Sequence, residues 1–146
     1  MSSFTTPLRV ERLNGQRRWR VLEPFVYKIG ELDSDSYVLV PARFETDFAS
    51  IPRGLWNLFP PIGGRYDKAA VVHDYLYQDG FVVALALEVD DQGYVDEHEC
   101  HLDVTRRQAD KIFLEAMQVL GVGWPARWTI YTGVRIGGRC AWKDGH

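Results

Sequence analysis

The sequence predicts an α+β domain: an N-terminal antiparallel β portion packed against two or three α-helices, one of them carrying a histidine–aspartate pair. Three observations lead there. The first third of the chain holds short segments of partial apolar–polar alternation punctuated by prolines. Three later segments repeat apolar residues at helical spacing. Between the first two of these lies an apolar run followed by a turn signal, the pattern of a hairpin.

Residues 19–29 (W-R-V-L-E-P-F-V-Y-K-I) alternate in part, and Pro24, which cannot donate to a sheet ladder, marks a break, a bulge or an edge. Residues 31–36 are turn-like, and Tyr37-Val38-Leu39-Val40 reads as a strand ending at Pro41. Residues 44–52 (F-E-T-D-F-A-S-I-P) read as a strand end running into an ordered loop. A helix is expected over residues 68–78, with Asp67 placed to accept from the unpaired N–H groups of its first turn. The run F-V-V-A-L-A-L-E-V from Phe81, followed by D-D-Q-G-Y, suggests a hairpin turning at residues 90–93. Residues 105–120 carry the strongest helical pattern. Thr105 and Gln108 have capping-box spacing, Ala109, Ile112, Phe113, Ala116, Met117 and Leu120 form one stripe, and Gly121 stops it. A third helix opens at Trp124-Pro125 and runs to about Ile136, before Gly137-Gly138.

The chain of 146 residues is 46% hydrophobic and 25% charged, which suits one globular domain spanning residues 1–146. No apolar run approaches the ~20 residues of a membrane span, and residues 1–7 lack the apolar core of a signal peptide. A formal net charge of −3 gives no electrostatic footprint for nucleic acid, and Arg17-Arg18-Trp19-Arg20 suits a solvated strand face. Cys100 and Cys140 have no CxxC companion, and read more readily as free thiols than as a disulfide.

The candidate chemistry gathers on the helix around residues 68–78. Ala69, Ala70, Val72, Leu76 and Tyr77 supply its buried side, and His73 falls on the same face. Asp74 projects about a hundred degrees away. Burying a histidine is costly unless its ring nitrogens find partners. Asp110, beside the stripe of the long helix, could accept from one nitrogen if the two helices pack antiparallel. That bond would fix the tautomer and leave the other nitrogen to act as a base. A single histidine on such a face equally suits a satisfied core residue, and Asp110 alone suits a favourable first-turn acid. His98 and His101, among Glu97, Glu99, Cys100 and Asp103, read as a solvated loop, because no second cluster completes a metal set. Ser50 lacks the G-x-S-x-G surroundings of a serine nucleophile.

Three blocks carry a family resemblance: V-P-A-R-F-E-T-D-F-A-S-I-P-R (residues 40–53), A-A-V-V-H-D-Y-L-Y (69–77) and R-R-Q-A-D-K-I-F-L-E-A-M (106–117). With these the chain resembles a family found mainly in bacteriophages and prophages, domain of unknown function 1353. The resemblance implies a source and manufacture in a bacterial host cytoplasm, but no activity. A second, local resemblance does imply one. H-D-x-x-Y followed by A-D-x-x-F on a later helix is similar to the phospholipase A2 superfamily, particularly its disulfide-free viral members. It implies that His73 is the general base, Asp110 the aspartate that orients it, and Tyr77 the tyrosine that bonds that aspartate. It implies that Asp74 is a carboxylate ligand of calcium.

The chain departs from that family in its calcium loop. The nearest glycine-rich segment, Pro60-Pro61-Ile62-Gly63-Gly64, lies only about ten residues before His73. It could serve as a shortened loop, with Gly63 and Gly64 allowing the turns that present carbonyl oxygens, or be a plain turn. Calcium takes six or more oxygens, so Asp74 needs help, and Asp47 is a second candidate ligand. For Asp47 and Ser50 a capped turn is an equal reading. The expected function is a phage-encoded, cation-dependent hydrolase acting on an ester or related bond of the bacterial envelope. Its expected partner is then an envelope lipid or cell-wall component. The alternative is a non-enzymatic virion accessory protein of the tail or baseplate, whose partners are other virion proteins.

Overall fold

The computed structural model describes residues 3–4, 7–15, 18–30, 36–48, 53–59, 65–79, 81–140 and 142. Its N-terminal part forms antiparallel β-structure and its helices follow, an α+β arrangement as expected. Strands β1 (Ser3–Phe4), β4 (Phe25–Lys28) and β5 (Ser36–Val40) open a five-stranded sheet that β7 (Phe81–Val89) and β8 (Val95–Asp103) complete, in the order β1-β4-β5-β7-β8. Strands β2 (Val10–Arg12), β3 (Trp19–Val21) and β6 (Glu45–Thr46) form a second sheet, ordered β2-β3-β6. Every pairing is antiparallel. The break expected at Pro24 is where the chain leaves one sheet and enters the other, between β3 and β4. Arg18 and Arg20 pair with Glu45, and Arg20 also with Glu11, so these two arginines of the basic cluster are charge-balanced at the second sheet; Arg17 lies outside the described residues.

Strand β4 shows why a sheet face forms here. Phe25 and Tyr27 are buried while Val26 and Lys28 are only half-buried, the period-two pattern of a strand with one face on the core. The β7–β8 hairpin runs in continuous register from Phe81 opposite Asp103 to Val89 opposite Val95. Its turn falls at the expected place. Asp90 Oδ1 accepts from the backbone N–H groups of Gln92 and Tyr94, at 2.9 and 2.8 Å, and Gly93 supplies a left-handed φ of 82°.

One expectation fails within this hairpin. His98 and His101 lie in β8, not in a loop. The apolar, β-branched first strand templates the polar second one, so ladder pairing overrides composition. His101 stacks on Phe81 with ring centroids 4.5 Å apart, and Cys100 is a free thiol. The side chain of Cys140 lies outside the described residues.

The helices are α1 (Asp67–Asp79), α2 (Arg106–Val119) and α3 (Trp124–Gly137), with short 3₁₀ turns at Arg53–Leu55 and Gly138–Cys140. Helix α1 is buried nearly all round: Ala69, Ala70, Val71, Val72 and Leu76 have no exposed surface. It packs against β5 and β6 on one side and α2 on the other, and α2 in turn packs on α3. Ala109 and Ala116 are fully buried on α2, where small side chains let the helices approach. Glu115 ties α2 to the first sheet, its Oε1 accepting from the Tyr27 hydroxyl at 2.7 Å and the Gly30 N–H at 2.9 Å. Among the described residues no helix is long and apolar enough to cross a membrane.

The start of α2 is fixed by the capping box read in the sequence. Thr105 accepts from the Gln108 N–H, and the Gln108 side chain accepts from the Thr105 N–H at 2.8 Å. Thr105→Ala removes the first of these bonds at an exposed position. Urea unfolding of this variant is expected to show a loss of about 1 kcal/mol with an unchanged denaturant slope.

Candidate functional site

Helix α1 presents His73 and Tyr77 one turn apart, toward the first two turns of α2. His73 is only 2% exposed and Asp110 not at all. His73 Nε2 lies 2.8 Å from Asp110 Oδ1, and the Tyr77 hydroxyl donates to the same oxygen at 2.6 Å. The other carboxylate oxygen, Oδ2, accepts from Arg135 Nη1 at 2.6 Å, with Arg106 Nε at 3.7 Å. Arg106 also donates through Nη2 to the Arg135 carbonyl at 2.6 Å, so the two arginines brace one another. The imidazole stacks on Phe113, with centroids 4.6 Å apart, and leans on Tyr77 at 4.1 Å. Ring position is therefore fixed by packing as well as by the hydrogen bond.

Burial by itself would push the Asp110 carboxyl up. Hydrogen bonds from His73, Tyr77 and Arg135 outweigh it and bring the group down to about 2. Tyr77 moves the other way: burial and then its bond to the Asp110 carboxylate push the phenol up, so it remains a donor. The bond to Asp110 also raises Arg135. With Asp110 ionised, Nε2 of His73 carries the proton in this bond.

Behind Tyr77, Trp142 packs edge-on at 5.0 Å. A Cβ on Gly138 would lie 2.7 Å from the Tyr77 hydroxyl oxygen, so only glycine lets the chain pass there.

Asp74 takes no part in this cluster. It is half-buried on another face of α1, and its Oδ2 accepts from the Thr46 hydroxyl at the end of β6. The Phe48 N–H donates to the same Thr46 oxygen at 3.1 Å. Phe48 is buried with φ at 53°, a left-handed conformation that a bulky residue adopts at a cost, held by these contacts. Asp47, singled out as a second ligand, is exposed. Among the described residues no three His, Cys, Asp or Glu side chains gather as a metal-holding group. Gly63 and Gly64 lie outside the described residues, as does Ser50. The described residues thus offer a calcium ion the Asp74 carboxylate and Thr46, not a full oxygen shell.

His73, Tyr77 and Asp110 come together as the sequence suggested; Asp74 stands apart from them. Three participants were missed. Thr46 could have been found, because in F-E-T-D-F it shares its parity with Phe44 and Phe48, and the structure does turn Thr46 inward and Asp47 outward. Nothing local to Arg135 or Arg106 distinguishes them from other helix arginines.

The lowered Asp110 value sets a pH dependence. Its folded pKa of about 2 lies below the ordinary 3.8, so the stabilisation is complete above the unfolded value and is lost as pH falls from about 4 through about 2. That window should contribute ~2 kcal/mol to the acid limb of a stability–pH profile. Asp110→Asn is expected to flatten this limb and to cost about 3–5 kcal/mol at neutral pH, since it leaves Arg135 without its carboxylate. Urea unfolding of both proteins across pH 2–7 checks it, and an unchanged acid limb in the variant refutes the assignment.

No curated protein and no solved structure shows significant similarity to the chain. One family profile does match, over residues 19–134, a span that includes β3 to β8, α1, α2 and most of α3. That span holds every member of the His73–Asp110 cluster except Arg135, which follows it directly. The chain belongs to the family described as protein of unknown function DUF1353.

Proposed function

We propose that this chain is a phage-encoded hydrolase of the phospholipase A2 type, acting on an ester or related bond of the bacterial envelope. The observation that carries the reading is the 2.8 Å contact between His73 Nε2 and Asp110 Oδ1, with Tyr77 donating to the same oxygen. These three residues are the ones that H-D-x-x-Y and A-D-x-x-F align with the superfamily's base, orienting aspartate and tyrosine. Asp110 holds the proton on Nε2, and Nδ1 of His73 takes a proton from water as the water oxygen attacks the ester carbonyl. The proton then passes to the departing alkoxide as the C–O bond breaks, giving an acid and an alcohol. Tyr77 and Arg135 keep Asp110 ionised, so it stabilises the imidazolium that forms in between. A divalent cation at Asp74, with calcium the first candidate, would polarise the carbonyl when bound.

A second reading is favoured by the near-complete burial of His73 and by the Arg135–Asp110 ion pair. In it the same network only ties three helices together, in an accessory protein of the virion tail or baseplate.

His73→Gln separates the two. Fatty-acid release from mixed phospholipid vesicles with calcium present should fall by about 10²–10⁴-fold, the usual share of a general base, while circular dichroism stays native. If wild type releases no fatty acid, the hydrolase reading fails and the structural network stands. The cation has its own test. Millimolar calcium should raise the melting temperature by mass action, and Asp74→Asn should abolish that rise while the calcium-free protein stays folded. A melting curve indifferent to calcium, magnesium and manganese removes the cation from the proposal.

A further inference from the structure

The end of α3 meets the His73–Asp110 cluster twice. Arg135 donates to Asp110 Oδ2, and Gly138, three residues on, lies against Tyr77. The backbone at this point does not ask for glycine. Gly138 has φ −75° and ψ −5°, a right-handed conformation open to other residues, and its N–H closes α3 by donating to the Val134 carbonyl. Glycine in such a place costs chain entropy that alanine would not. Space is what excludes a side chain. A Cβ at position 138 would lie 2.7 Å from the Tyr77 hydroxyl oxygen, and 3.4 and 3.5 Å from the ring atoms Cε2 and Cζ. The two ring distances are ordinary contacts, so the obstacle is the hydroxyl. On neighbouring Gly137 a Cβ would meet nothing within 4 Å.

Tyr77 is not free to step aside. Its hydroxyl is bound to Asp110 at 2.6 Å, its ring leans on His73 at 4.1 Å, and Trp142 stands edge-on behind it at 5.0 Å. Trp142 is itself tied to this turn, its N–H donating to the Gly138 carbonyl at 3.2 Å. A methyl group at position 138 would therefore push the phenol off the carboxylate oxygen that it shares with His73 Nε2.

We infer that Gly138 is a positioning residue of the His73–Asp110 cluster: its missing side chain leaves the room in which the Tyr77 hydroxyl reaches Asp110. Water activation by that cluster rests on the hydrolase reading. The placement of Tyr77 by Gly138 does not.

The test is a double-mutant cycle of Gly138→Ala and Tyr77→Phe in the full chain. On its own, Gly138→Ala should lower the melting temperature by about 4 °C or more. In the Tyr77→Phe background the obstructing oxygen is gone, and the same change should be neutral or raise the melting temperature. Gly137→Ala, which faces open space, should be neutral or raise it in either background. Stability across pH supplies a readout that a packing defect alone would not move. Asp110 is faced by His73 and Tyr77 from α1, by Arg135 from α3 and by Arg106 on its own helix. Without the Tyr77 bond, burial brings the carboxyl back up from about 2 toward the ordinary 3.8, so less stability is lost as pH falls through that range. Gly138→Ala should flatten the acid limb as far as Tyr77→Phe does, and the pair no further. The kcat for fatty-acid release should fall to the same extent in all three proteins with KM unchanged, because Tyr77 acts through Asp110. If wild type releases no fatty acid, the hydrolase reading fails while the stability cycle still decides on Gly138. Equal losses from Gly138→Ala in both backgrounds overturn the inference, as does a loss with an unchanged acid limb or no loss at all. Should Gly138→Ala alone fail to fold, recovery on adding Tyr77→Phe upholds the inference and no recovery overturns it.

Discussion

A fully buried carboxylate, Asp110, is the constraint on which the rest of this structure turns. An ionised group without exposed surface is tolerable only when each oxygen is satisfied and a counter-charge is near. Here α1 supplies His73 and Tyr77 to one oxygen, and α3 supplies Arg135 to the other. One side chain of α2 thereby dictates where both neighbouring helices sit. The alanines at 69, 70, 109 and 116, all without exposed surface, permit the approach that those bonds require. Glu115, one turn and a little further along α2, repeats the logic toward the sheet through Tyr27 and Gly30. Helix α2 is thus pinned on two sides by carboxylates, one aimed at helices and one at strands.

The second polar junction is of another kind. Thr46 and Asp74 join the end of β6 to α1 with a single hydroxyl, and the left-handed Phe48 closes the turn around it. The two aspartates, on adjoining helices, are placed differently: Asp110 is fully buried and holds the His73 ring, while Asp74 is half-buried and bonded to Thr46.

What could be read from the chain follows from the range of each interaction. The capping box at Thr105 and Gln108, the helix opening at Trp124-Pro125, the turn at Asp90 to Gly93 and the break at Pro24 are local, and each appears where spacing and turn chemistry put it. His73 facing Asp110 was reachable because two periodic helices constrain which faces can meet. Arg135 was not, because periodicity names a face and not the partner across from it. Thr46 is less legible than Asp47 because a carboxylate is the expected cation ligand, although the parity it shares with Phe44 and Phe48 favours the threonine as the inward residue. His98 and His101 were misplaced for a related reason: a polar strand is recognisable mainly from the apolar one it pairs with.

The hairpin has a consequence for the behaviour of the chain in solution. Strand β8 is the outermost of its sheet, nine residues long, and its own backbone could template another strand. Asp96, Glu97, Glu99 and Asp103 stud it, and Glu88 faces Asp96 across the ladder. Those charges repel any second copy that approaches edge to edge. They stand beside Leu87, Val89, Val95 and Leu102, all well exposed, and keep that apolar part of the hairpin from becoming a joint between copies. Resistance to edge-to-edge pairing is therefore built into the polar strand of the hairpin.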